Sequence, residues 1–243
     1  MAKWGNAVLI FAGGVAVMSF VGTEFGSIMG PEPVAPEWEA ISAWPGQEAE
    51  NVEAAPEPNR VFTAIVLDDS GSMSEDMQAA RLAVAAAVET MAPEDFVSIV
   101  ALNKGLVLPF MPVEEARPQL RAILADVVSQ GSTPLTGAVS TARRVLGEEA
   151  ARAGGFGTYR ILVTTDGQAD DNATLRLAIE DLARTTPIQI ATIGVGISGS
   201  HVLNRSDLGT FVAIDDVSDL EQALQSAVAE QTTFSAIAGF GGE

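Results

Sequence analysis

The chain has 243 residues with 32 acidic and 13 basic side chains, one histidine, no cysteine and a formal net charge of −19. The missing cysteines exclude a disulfide scaffold, a thiolate metal site, a cysteine nucleophile and a lipid-modified cysteine anchor. The charge argues against nucleic acid or anionic lipid as a partner of a general basic surface, which leaves oxygen chemistry from carboxylates and hydroxyls, or none.

Charge divides the chain into three parts. Residues 1–29 hold Lys3 and Glu24 and are neutral, residues 30–59 hold seven glutamates and no base, and residues 60–243 hold 24 acids and 12 bases. From Trp4 to Thr23 run twenty residues without a charge. As a helix, that is enough to cross a hydrocarbon layer of about 30 Å. A segment of this kind is either a membrane anchor or a cleaved secretory signal. No small-x-small cleavage site follows it, since Val34-Ala35 runs into Pro36, which favours an uncleaved transmembrane anchor over residues 1–30. Both readings carry the rest of the chain across a membrane. With Lys3 left in the cytoplasm by the positive-inside bias, the expectation is a single-pass inner-membrane protein whose C-terminal domain lies in the periplasm or outside the cell. Gly14, Gly22, Gly26 and Gly30 are separated by multiples of four. That stripe suits close approach of another transmembrane subunit, although glycine is common in membrane helices without it.

Residues 31–59 read as a linker, because six of the twelve prolines and only acidic charges fall there, without apolar periodicity. Such composition buries too little surface to offset its ordering entropy. Trp38 and Trp44 are out of place in a spacer and point to docking on the domain or on a partner.

A domain is expected over residues 60–233, with a tail at 234–243. Val61–Leu67 is a continuous apolar run, the mark of a strand buried on both faces. Met77, Ala80, Val84, Val88 and Met91 recur at steps of three and four and predict a helix, with Ser74 as its N-cap and Glu75 and Asp76 in its first turn. Residues 96–102 and 106–110, around Asn103-Lys-Gly105, predict an antiparallel hairpin. Further helices are expected over 115–129 and from Thr133-Pro134 onward, proline suiting the first helical position. A strand over 159–165, a helix through Leu175, Ile179 and Leu182, and strands over 188–193 and 210–214 follow. A final helix is predicted to open at the capping box Ser218–Glu221. The alternation defines a doubly wound, mostly parallel α/β sheet with helices on both faces. Its ligand site is expected at the carboxyl ends of the strands, where strand order reverses.

Directly after the first domain strand comes Asp68-Asp-Ser70-Gly-Ser72, a D-x-S-x-S pattern. Asp166-Gly167 follows the strand at 159–165, and Thr133 lies in a loop between the two. Three hydroxyls and two carboxylates are hard ligands, suited to magnesium, manganese or calcium and poorly suited to zinc or copper. Two carboxylates only just neutralise a dication. The ion stays electrophilic, with a position open to an outside oxygen, best a partner protein's Asp or Glu carboxylate. Asp69 falls outside the D-x-S-x-S frame and is expected to be a solvated neighbour or a rim charge.

This combination resembles the von Willebrand factor type A domain and its metal-ion-dependent adhesion site, over residues 60–231. The resemblance implies a six-stranded sheet with one antiparallel edge strand, supplied by the hairpin at 96–110. It implies an ion, Mg2+ foremost, bound directly by Ser70, Ser72 and Thr133, and directly or through water by Asp68 and Asp166. It also implies a protein-binding role, many bacterial members being membrane-anchored and assisting the assembly of complexes. Taken singly, each motif has a plainer explanation: Asp-Ser-Gly-Ser as a turn, Thr133 as an N-cap, Asp166-Gly167 as a turn.

Rival motifs fail on context. Gly194-Val-Gly196-Ile-Ser-Gly199 has no helix opening beneath it, so the dinucleotide reading lacks its support. The alternation Asp166, Gln168, Asp170, Asn172 is no calcium loop, because Asp171 stands where glycine is required and Leu177 where glutamate is. His201 is expected to be a loop surface residue, and the acidic pairs at 114–115, 148–149, 170–171 and 215–216 to be solvated faces and helix starts. Three functions follow: a metal-dependent protein-binding module, a structural accessory subunit of a membrane complex with the metal site unused, and a divalent-metal hydrolase. The hydrolase is disfavoured, since no base or nucleophile stands out beyond the ligands, and the protein is expected not to be an enzyme.

Overall fold

The computed structural model describes residues 5–11, 14–20, 33–46, 59–197 and 201–230. The tail at 234–243, the centre of the acidic linker and Gly22, Gly26 and Gly30 lie outside the described residues. The chain divides into two units, Met1–Pro33 and Val34–Glu243.

In the first unit, Gly5–Phe11 (β1) and Gly14–Phe20 (β2) pair antiparallel, with Phe11 opposite Gly14 and Gly5 opposite Phe20. The apolar helix expected over this stretch is not what the structure describes. A continuous apolar run carries no period that separates helix from strand. Val8, Ile10, Val15 and Val17 are β-branched and favour the strand, and Gly13 and Gly14 at the midpoint would each cost a helix about 1 kcal/mol relative to alanine. Among the described residues no helix is long and apolar enough to cross a membrane.

The second unit is a six-stranded sheet in the order β5-β4-β3-β6-β7-β8. Its strands are β3 (Val61–Leu67), β4 (Phe96–Ala101), β5 (Gly105–Pro112), β6 (Thr158–Thr165), β7 (Gln189–Val195) and β8 (Thr210–Ile214). All neighbours are parallel except β4 and β5, whose hairpin supplies the antiparallel edge. Strand β3 is buried along its whole length because successive side chains enter opposite cores. Ile65 and Leu67 pack with helices α2 (Met77–Thr90), α3 (Val113–Ala125) and α6 (Leu220–Glu230), whereas Phe62, Ala64 and Val66 pack with α4 (Leu135–Arg152) and α5 (Asn172–Thr185). The chain leaves β3 toward α2 and leaves β6 toward α5, on opposite faces, so the loops after these adjacent strands part and open a crevice between them.

Four helix starts differ from the sequence expectation, among them that of α4, which begins at Leu135 with Pro134 as its N-cap and not as its first helical residue. Ser74 ends a 3-10 turn (Gly71–Ser74), and α2 begins at Met77 behind Asp76. Asp216, not Ser218, supplies the cap before α6: its carboxylate accepts the Ser218 N–H at 2.8 Å and a 3-10 turn precedes Leu220. The helix expected at 115–129 occupies 113–125.

The acidic segment before the sheet contributes to this unit. Helix α1 (Trp38–Ala43) lies beside α5: the Glu37 N–H donates to the Arg184 carbonyl at 2.8 Å, and the Glu37 carboxylate pairs with the Arg184 guanidinium. Val34 N–H donates to Asp207 Oδ2 at 3.2 Å. Trp44 meets Tyr159 edge-to-face at 4.8 Å, while Trp38 stands 73% exposed. The two tryptophans therefore part company, one docked and one presented to solvent. On the other face, buried Arg160 donates to Thr63 Oγ1 at 2.6 Å and to the Val228 carbonyl at 3.1 Å, fastening the last turn of α6 to the sheet. Burial lowers its pKa to about 10, against the pull of nearby Asp95.

Candidate metal centre

The crevice at the carboxyl ends of β3 and β6 collects the five residues singled out by sequence. Asp68 directly follows β3 and is fully buried. Its Oδ1 accepts the Ser70 N–H at 2.9 Å and its Oδ2 accepts the Thr165 hydroxyl at 2.8 Å. The chain then turns through the 3-10 segment, which sets Ser70 Oγ and Ser72 Oγ 3.0 Å apart. Ser72 Oγ donates to Asp166 Oδ1 at 2.9 Å. The D-x-S-x-S loop and the loop after β6, 94 residues apart, thus meet through side-chain oxygens.

Thr133 arrives from a segment without regular structure. That segment is held to the β3 loop by Ser129 Oγ donating to the Ser70 carbonyl at 2.5 Å, Gln130 N–H to the Asp69 carbonyl at 2.7 Å, and Gly71 N–H to the Gly131 carbonyl at 3.1 Å. Gly131 has φ +70°, and a Cβ there would come within 2.3 Å of Asn103 Oδ1, so glycine is required twice over. The Thr133 hydroxyl faces Gly167, where a Cβ would stand 4.0 Å from Oγ1. Thr133 therefore stands beside the loop that carries Asp166, while Asp68, Ser70, Ser72 and Asp166 are joined by hydrogen bonds.

Electrostatics indicate what the crevice lacks. Among the described residues neither Asp68 nor Asp166 forms an ion pair with a lysine or arginine. Burial pushes the Asp166 carboxyl above its ordinary range, the Ser72 hydroxyl opposes this, and the Asp68 charge raises it further. A carboxylate disfavoured in its charged form by burial and by a like charge is one that a cation would relieve. Among the described residues no three carboxylates or imidazoles converge, so an ion here would rest on two carboxylates and three hydroxyls. That donor set fits a hard dication and leaves out the soft ligands of zinc and copper.

Four neighbours of the crevice escaped the sequence reading. Asp69 is not solvated but fully buried. It accepts Asn103 N–H at 2.7 Å, Asn103 Nδ2 at 3.2 Å and Lys104 N–H at 3.1 Å, and so fixes the β4–β5 turn. Asn103 in turn donates to the Ser132 carbonyl at 2.9 Å. Asp170 accepts from Ser132 Oγ at 2.6 Å and from Thr133 N–H at 3.1 Å. His201, expected at the surface, is buried: Nδ1 accepts the Leu203 N–H at 3.2 Å, which makes Nε2 the donor to the Gly167 carbonyl at 3.1 Å. Burial lowers its pKa, the Gly167 carbonyl opposing. The only sequence signal for these residues was adjacency to the motif for Asp69 and a turn position for Asn103.

Comparison with known proteins agrees with this architecture. Residues 63–168 match the family model of the von Willebrand factor type A domain. The chain is similar in structure to a von Willebrand factor type A protein from Catenulispora acidiphila, with a TM-score of 0.60, 21% identity, and coverage of 72% of this chain and 43% of that one. It is similar to the pilus adhesin SpaC from Lactobacillus rhamnosus GG in an open conformation, with a TM-score of 0.57, 11% identity, and coverage of 72% and 30%. It is also similar to the manganese-loaded TRAP protein of Plasmodium vivax, with a TM-score of 0.51, 12% identity, and coverage of 69% and 74%. A search of curated protein sequences finds no match. The chain spans less than half the length of the Catenulispora protein. The sheet between its two helix layers has the fold of these proteins, and its stretch from β3 to the loop after β6 is similar to the von Willebrand factor type A domain.

Proposed function

We propose that the domain is a protein-binding module that recognises its partner through a divalent cation, Mg2+ foremost and Mn2+ or Ca2+ as alternatives. The observation that carries this reading is the junction of Asp68, Ser70, Ser72 and Asp166 in one crevice, with both carboxylates lacking a basic partner among the described residues. Asp68, Asp166 and the hydroxyls of Ser70, Ser72 and Thr133 would hold the ion. When bound, it supplies a Lewis-acidic position for an outside oxygen, best an Asp or Glu carboxylate of the partner. The protein's own groups orient that position: Thr165 and the Ser70 N–H fix the Asp68 carboxylate, and the 3-10 turn presents the two serines. A binder is favoured over a hydrolase because both nitrogens of the one histidine are engaged in holding loops. That a structural neighbour was solved loaded with manganese recommends Mn2+ as the probe.

The test is capture of partners by the full-length chain in detergent, with and without chelator. Chelator should abolish capture, and Asp68→Ala should copy it without unfolding the domain. Capture that survives both overturns the reading. From the uncharged run Trp4–Thr23, we read the domain as attached to a membrane, on the far side from the cytoplasm. Release of the chain by alkaline carbonate would refute that attachment. The exposure of Trp38 favours a second reading, an accessory subunit held in a larger membrane complex with the metal site unused. Chelator-resistant capture that is lost on deleting residues 1–30 would select it.

A further inference from the structure

Resting on the metal reading of the crevice, we propose that Asp170 is the positioning residue of the site. Its side chain clips the threonine loop onto the loop of Asp166, so that the Thr133 hydroxyl is held where a divalent cation would meet it. The five candidate ligands are not equally well placed by the fold. Asp68 follows directly on a central strand and its carboxylate is fixed at both oxygens. Ser70 precedes the 3-10 turn and Ser72 sits on it, the two touch each other, and Ser72 touches Asp166. Thr133 has no such support. It lies between the segment 129–132 and the start of α4 at Leu135, and apart from the Ser132 hydroxyl the bonds of 129–132 run back toward β3 and the β4–β5 turn.

Asp170 closes the other side. Oδ1 accepts the Thr133 N–H at 3.1 Å, Oδ2 accepts Ser132 Oγ at 2.6 Å, and the Asp170 N–H donates to the Thr133 carbonyl at 3.1 Å. The two loops are joined by three bonds across 37 residues of sequence. Asp170 itself is four residues beyond Asp166, on the same loop, so the clip sets the spacing between the threonine and the second carboxylate. The neighbouring acid acts elsewhere, since Asp171 caps α5 by accepting Thr174 N–H at 3.0 Å and the Thr174 hydroxyl. Of this adjacent pair, only Asp170 faces the crevice loops. A neutral hydroxyl is a weak ligand, so its contribution depends on being held in place beforehand, as the partners of metal ligands do elsewhere.

The test uses Asp170→Ala and Asp170→Asn in the full-length chain, with Mn2+ as the probe. Asparagine can accept the Thr133 N–H and donate to Ser132 Oγ, so it keeps the geometry and removes the charge. In metal-free protein, Asp170→Ala should speed hydrogen exchange of the Thr133 amide about tenfold, and it should weaken Mn2+ binding by calorimetry about tenfold. Asp170→Asn should stay within about threefold of wild type in both readouts. The proposal is overturned if Asp170→Ala leaves either readout unchanged, or if Asp170→Asn is as impaired as Asp170→Ala, since charge and not position would then be at work. A wild-type chain that takes up no Mn2+ overturns the metal reading and this proposal together; a wild type that binds no more tightly than Asp170→Ala overturns this proposal alone.

Discussion

Replacing Asp69 by alanine separates two pictures of the same residue. As a solvated neighbour of the motif, it would be worth no more than an ordinary surface side chain, within about 0.5 kcal/mol either way. In the structure it is fully buried and accepts three N–H bonds from Asn103 and Lys104 at 2.7, 3.2 and 3.1 Å. Two effects compete on truncation. Removing a buried anion relieves its desolvation, but the carboxylate is already compensated by its donors, and bonds to a charged group are worth about 1.5–3 kcal/mol each. Lys104 is exposed and Asn103 half-buried, so water can replace part of what is lost. The net loss for Asp69→Ala is therefore about 2–4 kcal/mol, well short of the sum of three bonds. Asp69→Asn keeps one acceptor but turns an amide N–H toward a donor, and should cost about 1–2 kcal/mol. Urea denaturation followed by circular dichroism measures both against a domain stability of about 5–15 kcal/mol. An Asp69→Ala midpoint indistinguishable from wild type would refute the argument.

The remaining predictions address other parts of the unit. Gly131→Ala places a Cβ at a positive φ and against Asn103 Oδ1; it should lose about 1–3 kcal/mol on thermal melting, and an unchanged melt would contradict the loop geometry. Trp44→Ala removes the edge contact with Tyr159 and should lose about 1–3 kcal/mol with a shift in tryptophan emission, whereas the exposed Trp38→Ala should stay within about 0.5 kcal/mol. Equal effects of the two would mean that the segment does not dock as described. His201 has a folded pKa below its ordinary value of 6.5. The unfolded chain therefore binds the proton more readily, and stability falls as the pH drops below 6.5 toward the folded value. His201→Gln should flatten the stability difference between pH 7 and pH 5, and a variant that keeps the full difference would assign it to other groups.

What the sequence made legible and what it hid divide along one physical line. Strands β3 and β6, the hairpin and the helices each announce themselves within their own segment, by unbroken apolar runs or by steps of three and four, because burial acts on residues close in sequence. The ligand candidates were legible for the same reason: each carboxylate follows directly on a strand end, so locating the strand locates the ligand. Asp69, Asp170, His201 and Trp44 act by contacts with partners 34, 37, 34 and 115 residues away, respectively. No local period encodes such contacts. The misplaced caps have the same origin, since Ser74 and Ser218 satisfy the local capping rule, while the 3-10 turns after β3 and β8 move the helix starts to Met77 and Leu220. The apolar stretch before the domain fails differently: twenty uncharged residues state hydrophobicity and no period, and strand and helix both satisfy such a run. The positions hardest to read are thus the ones that join loops to loops. In a crevice built from the ends of strands, these joints set how the side-chain oxygens of its loops stand to one another.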